Sequence, residues 1–283
     1  MSMEKVAVIG GGTMGNGITQ VFAMAGYNVN LVETSQGLLD KALDKVDKNM
    51  SRLLRKQKIS QAQKNEALNR IAPMVSFADA LQDVGLMVEA VPEVFSIKKK
   101  VFEQADAYAP NEAVLASNTS SISITRLASV TNRPEHCIGM HFFNPVPVMP
   151  LVEVVSGLET DAQLLQRVKD TAGKLGKSPV PVNDSPGFVS NRVLMPMINE
   201  AIFAVFEGVA EPQHIDQVMK QGMAHPMGPL RLADFIGLDV CLDILNVLYE
   251  NFKDPKYRPC PLLVKKVDAG KLGDKTGEGF FSH

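Results

Sequence analysis

The chain opens on an apolar run, Val6-Ala7-Val8-Ile9, that ends directly in Gly10-Gly11-Gly12-Thr13-Met14-Gly15. A second apolar run, Val29 to Val32, leads to Glu33. Strand, glycine turn, helix, strand and acid follow one another in the order a dinucleotide site requires, which commits the chain to beginning as a βαβ unit. Gly10 permits the tight turn, Gly12 lets a pyrophosphate approach the backbone, and Gly15 lets helix and strand pack closely. Thr13 and Met14 stand at the helix start, where unpaired N–H groups and the macrodipole favour an anion. Glu33 can accept both hydroxyls of an adenine ribose and would repel a 2′-phosphate. Thr34 and Ser35 bring no arginine to hold such a phosphate. NAD is favoured over NADP.

Composition removes several classes. The 283 residues suffice for one large or two ordinary domains. A net charge of −2 gives no nucleic-acid footprint. Cys137, Cys241 and Cys260 lie far apart, an odd and sparse set that fits a reducing interior and offers no metal spacing. No apolar stretch approaches the ~18–20 residues of a bilayer span, and the first strand begins too early for a signal peptide. A soluble, cytoplasmic protein is expected.

Alternating strands and helices are predicted over the first two-thirds. Strands are expected at Val6–Gly10, Asn28–Glu33, Leu86–Ala90, Val114–Ser117, Cys137–Phe142 and Leu151–Val155. Continuous apolar runs suit parallel strands covered on both faces. A helical hairpin is expected over about 36–70, with Arg52, Arg55, Lys56 and Lys58 crowded near its middle. That stretch reads either as a solvated face or as a cationic clamp for an anionic substrate tail; charge alone favours the first. Asp184-Ser185-Pro186-Gly187-Phe188 marks a change of style, after which the helical period dominates. The expectation is an α/β unit over 1–186 with a Rossmann-type, mostly parallel sheet, then a small all-helical C-terminal unit over 187–283. The helices of the second are apolar on more than one face, which suggests a homodimer.

The chemistry-bearing residues gather after strands. His141 ends one apolar run, and Glu153 sits inside another, where an unpaired carboxylate would be costly. A histidine across the loop is its nearest partner. A carboxylate bonded to one ring nitrogen fixes the tautomer and leaves the other nitrogen for acid–base work near neutrality. A purely structural pair fits the pattern equally well. Ala116-Ser117-Asn118-Thr119-Ser120-Ser121 and Ala90-Val91-Pro92-Glu93, with Lys98 a turn later, also follow strands, at the edge where parallel sheets bind ligands.

Together with His141-Phe142-Phe143-Asn144-Pro145, Asn191-Arg192, His225-Pro226-Met227-Gly228-Pro229 and Lys275-Thr276-Gly277-Glu278-Gly279-Phe280, these motifs resemble the L-3-hydroxyacyl-CoA dehydrogenases over the full length. The short bacterial 3-hydroxybutyryl-CoA dehydrogenases look nearest. The resemblance implies an NAD-dependent oxidoreductase acting on an acyl-CoA thioester. It places the catalytic dyad on His141 and Glu153, and contacts to the reacting oxygen on Ser120 and Asn191, with Asn144 supporting the pocket. It implies cofactor contacts at Gly10, Gly12, Thr13, Met14, Gly15, Glu33, Ala90, Glu93, Lys98, Asn118, Ser120 and Asn144. The basic hairpin then corresponds to a coenzyme A clamp, with Arg52, Arg55 and Lys56 binding substrate, which reverses the reading from charge alone. Arg231 departs from the family, which often carries glutamate there. Two other readings remain: a non-enzymatic NAD-binding relative, and a β-hydroxyacid dehydrogenase with a non-CoA substrate. The second would need a lysine where Asn191-Arg192 stand.

Overall fold

The first apolar run forms β1 (Lys5–Ile9), and its side chains alternate between two cores. Val6 and Val8 pack with Ile18, Phe22 and Leu31 on one face of the sheet, while Ala7 and Ile9 pack with Leu81, Met87, Phe102 and Leu115 on the other. Burial on both faces explains a run without polar interruptions. The computed structural model describes residues 3–283. From β1 the chain passes through α1 (Thr13–Met24), β2 (Asn28–Val32), α2 (Gln36–Arg55), α3 (Gln61–Asn69), β3 (Ile71–Met74), α4 (Phe77–Leu81), β4 (Leu86–Glu89), α5 (Phe95–Tyr108) and β5 (Val114–Ser117). Then come α6 (Ile124–Ala128), β6 (Cys137–Phe142), β7 (Leu151–Ser156), α7 (Ala162–Lys174) and β8 (Ser178–Asn183). This first compact unit ends at Ser185.

Its eight strands lie in the order β3-β2-β1-β4-β5-β6-β7-β8. Strands from β3 across to β6 are mutually parallel; β7 turns back antiparallel to β6, and β8 runs parallel to β7. The order reverses between β1 and β4, and the crevice at such a switch point is where open α/β sheets take ligands. The strands expected from the sequence are present with ends shifted by a residue: Gly10, Glu33 and Ala90 lie just beyond their strands. β3 and β8 were not expected. Both are edge strands, and both carry proline, Pro73 in one and Pro179 with Pro181 in the other. Proline removes a ladder N–H, so it speaks against a central strand but is tolerated at an edge.

The helical hairpin is α2 followed by α3. Leu39, Ala42, Val46 and Met50 bury one stripe of α2, and a Ser60–Gln63 capping box starts α3.

The second unit, Pro186–His283, contains α8 (Ser190–Phe206), α9 (Pro212–Gly222), α10 (Pro229–Ile236), α11 (Leu238–Phe252) and α12 (Pro261–Asp268). Its core is built from Met195, Ile198, Ile202, Leu230, Leu245 and Tyr257, among others. Gly208, at φ +74°, donates to the Val205 carbonyl just past α8, as a left-handed C′ residue does. Arg231, the departure from the family, forms a two-pronged ion pair with Asp274 at 2.8 and 3.0 Å. No helix among the described residues is long and apolar enough to cross a membrane.

Candidate active site

The antiparallel register of β6 and β7 sets His141 directly opposite Glu153. The imidazole Nδ1 lies 2.8 Å from Glu153 Oε2, and the two residues are 7% and 2% exposed. A buried carboxylate thereby gains the partner its environment demands. With the hydrogen on Nδ1 donated to Glu153, Nε2 carries a lone pair able to accept a proton. The Phe143 ring packs against the imidazole, with centroids 4.6 Å apart, and limits how the ring can turn. The strand corner therefore holds the imidazole and the carboxylate together, as both readings of the sequence require.

The glycine turn fits a dinucleotide on steric grounds. Gly10 has φ +95°, and a Cβ there would stand 2.9 Å from the Ala90 carbonyl oxygen. At Gly15 a Cβ would fall 1.7 Å from the Gly10 carbonyl, so helix and turn are in contact. At Gly12, by contrast, nothing lies within 4 Å of the Cβ position. The turn is thus closed where it must hold itself and open where a pyrophosphate would approach, at the N-terminus of α1 beside Thr13 and Met14. Glu33 Oε1 accepts the Gly11 N–H at 2.6 Å, and Oε2 accepts from Thr34 N at 3.2 Å. A carboxylate in that position can receive ribose hydroxyls, and no arginine follows it. These residues fit NAD.

Between these two regions, a charged network joins the ends of β4 and β5. Glu89, fully buried, accepts from Lys98 Nζ at 2.7 Å, Val91 N at 2.7 Å and Ser117 Oγ at 2.6 Å. Lys98 Nζ also meets Glu93 Oε2 at 3.1 Å. Glu93 Oε1 in turn accepts from Thr119 Oγ1, from Ser120 N at 3.0 Å, and from Ser121 N at 3.1 Å and Oγ at 2.9 Å. Burial pushes the Glu89 carboxyl above its ordinary range, against the pull of Lys98 and the surrounding donors. Burial also opposes ionisation of Glu93, but the Lys98 charge and the hydrogen bonds from Thr119 and Ser121 outweigh it, so that carboxyl sits below its ordinary range. Asn118 Oδ1 accepts the Phe142 N–H at 2.9 Å, tying β5 to the residue after His141.

Lys98 is 1% exposed, so its ammonium serves Glu89 and Glu93 inside the loop rather than standing open at the surface. The sequence reading passed over Glu89, which lies within the run Leu86–Ala90 expected as a strand. The available signal was a carboxylate at the carboxyl end of Leu86-Met87-Val88-Glu89, with a lysine on the helix that follows.

Arg52, Arg55, Lys56 and Lys58 are all exposed around the hairpin tip, and no ion pair among the described residues includes them. Asn144 is exposed in the loop between β6 and β7, preceding a cis bond to Pro145. Asn191 lies in the first turn of α8 in the second unit. Burial pushes the Cys137 thiol up to about 11 and Cys241 up to about 12, so neither offers a thiolate near neutrality.

Comparisons with known proteins agree on one family. The model of the 3-hydroxyacyl-CoA dehydrogenase NAD-binding domain matches residues 5–185, and that of the C-terminal domain of the same family matches 187–283. A probable 3-hydroxybutyryl-CoA dehydrogenase of Bacillus subtilis is 49% identical, covering 100% of this chain and 98% of its own length. The 3-hydroxybutyryl-CoA dehydrogenase of Clostridioides difficile is 50% identical over 99% of each chain. Among solved structures, the crystal structure of the (S)-3-hydroxybutyryl-CoA dehydrogenase of Ralstonia eutropha superposes with a TM-score of 0.97 at 48% identity, covering 100% of this chain and 99% of that one.

Proposed function

Because the chain belongs to the 3-hydroxyacyl-CoA dehydrogenase family, we propose that it interconverts 3-hydroxybutyryl-CoA and acetoacetyl-CoA with NAD(H), using His141 as the acid–base group. The observation that carries this reading is the buried His141–Glu153 pair, 2.8 Å apart at the end of the parallel part of the sheet. Bound at the glycine turn, NAD supplies the acceptor or donor of the hydride.

The residues of the chain manage the proton. In oxidation, neutral His141 holds its Nδ1–H toward Glu153 and accepts the 3-hydroxyl proton at Nε2. In reduction, the doubly protonated ring returns that proton to the oxygen on C3. Glu153 fixes the tautomer throughout and balances the positive charge the ring acquires. Ser120 hydrogen-bonds the reacting oxygen, and Asn191 supplies the second contact to it; Asn144 supports the pocket. Those three assignments follow the family motifs. The exposed cations Arg52, Arg55 and Lys56 bind the phosphates of coenzyme A, a role their freedom from ion pairs supports.

The same reading extends to assembly and compartment. Val193, Val209, Val218, Met223 and Phe235 of the second unit are large apolar side chains in the open, and a second copy of this chain would cover such a surface. Three free, buried cysteines suit a reducing cytoplasm, where the reaction would serve fatty-acid or butyrate metabolism. The deciding assay is the loss of NADH absorbance on adding acetoacetyl-CoA. Turnover with the thioester and none with a simple diketone supports the proposal; no NADH consumption with acetoacetyl-CoA would overturn it.

A further inference from the structure

Glu89 touches neither member of the His141–Glu153 pair, yet it stands where three strand ends meet. Its register partners are Ile9, the residue before the glycine turn, in β1 and Ser117 in β5. Its carbonyl accepts the Asn118 N–H at 2.8 Å, and Asn118 passes the connection on to Phe142. A carboxylate with no exposure is expensive, and a carboxamide or an apolar side chain would fill a strand end at lower cost. What the charge secures is Lys98, whose ammonium is held by Glu89, Glu93 and the Val91 carbonyl together.

We propose that Glu89 is a positioning residue for the active site: it anchors Lys98, Lys98 fixes Glu93, and Glu93 holds the Thr119–Ser121 loop that carries Ser120. Two routes enter that loop. One runs through Lys98 to Glu93, which gathers the N–H groups of Ser120 and Ser121. The other runs through the Ser117 hydroxyl, which donates to Glu89 and accepts the Thr119 N–H at 3.1 Å. With an amide at position 89, the hold on Lys98 loses its charge. The Ser117 hydroxyl then faces an NH₂ group and must turn away from its present partner. Both routes slacken, while the glycine turn and the dyad keep their own contacts.

The role of Ser120 rests on the function proposed above, so the test has one arm that needs no substrate. In ligand-free protein, amide hydrogen exchange at Ser120 and Ser121 is expected to quicken about tenfold in Glu89→Gln, with the Gly11 amide, bonded to Glu33, as the unchanged internal reference. Turnover of acetoacetyl-CoA is expected to fall about tenfold, with the dissociation constant of NADH moving less than kcat. Because the route through Lys98 ends on Glu93 while the route through Ser117 does not, the double variant Glu89→Gln/Glu93→Gln is expected to lose less than the product of the two single losses. Unchanged exchange at Ser120 and Ser121, or losses that multiply in the double variant, would overturn the proposal. Should Glu89→Gln fail to fold, Ser117→Ala removes one donor to Glu89 and leaves every charge in place; faster exchange in the loop supports the network, and unaltered exchange rejects it. A wild-type enzyme inert toward acetoacetyl-CoA would count against the function and leave the exchange result standing.

Discussion

Glu153 is useful only as a partner, and its substitution separates charge from shape. Glu153→Gln keeps an acceptor for the His141 Nδ1–H but removes the charge that balances the ring once it is doubly protonated. A loss of about 10²–10⁴-fold in kcat is expected, the range general acid–base catalysis supplies, with NADH binding largely intact in a fluorescence titration. Wild-type turnover in that variant would reduce the pair to a structural contact. Single residues of this site were readable to different depths. His141 and Glu153 announced themselves because a carboxylate inside an apolar strand needs a partner, and the β6–β7 register supplies it. Glu89 stayed hidden because its worth depends on what lies opposite. Only pairing with Ser117 and the inward turn of Lys98 show that it is a junction rather than a strand end.

The hairpin α2–α3 carries a cationic cluster that charge alone leaves open to two readings. Arg52 and Arg55 occupy the last turn of α2, where cations complement the helix dipole, and that alone would account for them. Lys56, the C-cap, shares that benefit, whereas Lys58 lies further beyond the helix. Replacing Arg52, Arg55, Lys56 and Lys58 by glutamine is expected to raise KM for acetoacetyl-CoA about tenfold, equivalent to about 1.4 kcal/mol. A short acetoacetyl thioester lacking the nucleotide should change little, and equal shifts for both substrates would reject the clamp. Among the strands, the doubly buried ones were readable from continuous apolar runs such as Val114–Ser117. β3 and β8 were not, since Pro73, Pro179 and Pro181 erase the local signal and only a place at the sheet edge makes them acceptable.

Both units leave large apolar side chains in the open. In the second, Val193, Val218 and Phe235 stand exposed on α8, α9 and α10, with Val209 and Met223 outside the helices, while other side chains of α8 and α10 form the core. That arrangement predicts a dimer: light scattering or sedimentation should give twice the chain mass, independent of dilution across the micromolar range. A monomer mass at every concentration would remove the assembly from the account. The change of style at Pro186-Gly187 was visible in the sequence because proline and glycine interrupt both periodicities at once. The proposed role of Asn191 in the second unit rests on the Asn191-Arg192 motif, since helical periodicity reports cores and not sites.

The central claim is that one imidazole carries the proton while its buried carboxylate partner steadies it. The kcat of His141→Gln with acetoacetyl-CoA and NADH, measured beside an NADH titration of the same variant, tests it most directly. The account predicts a fall of about 10²–10⁴-fold with NADH affinity within about twofold of wild type. Turnover at the wild-type rate, with the variant folded and binding NADH, would contradict it.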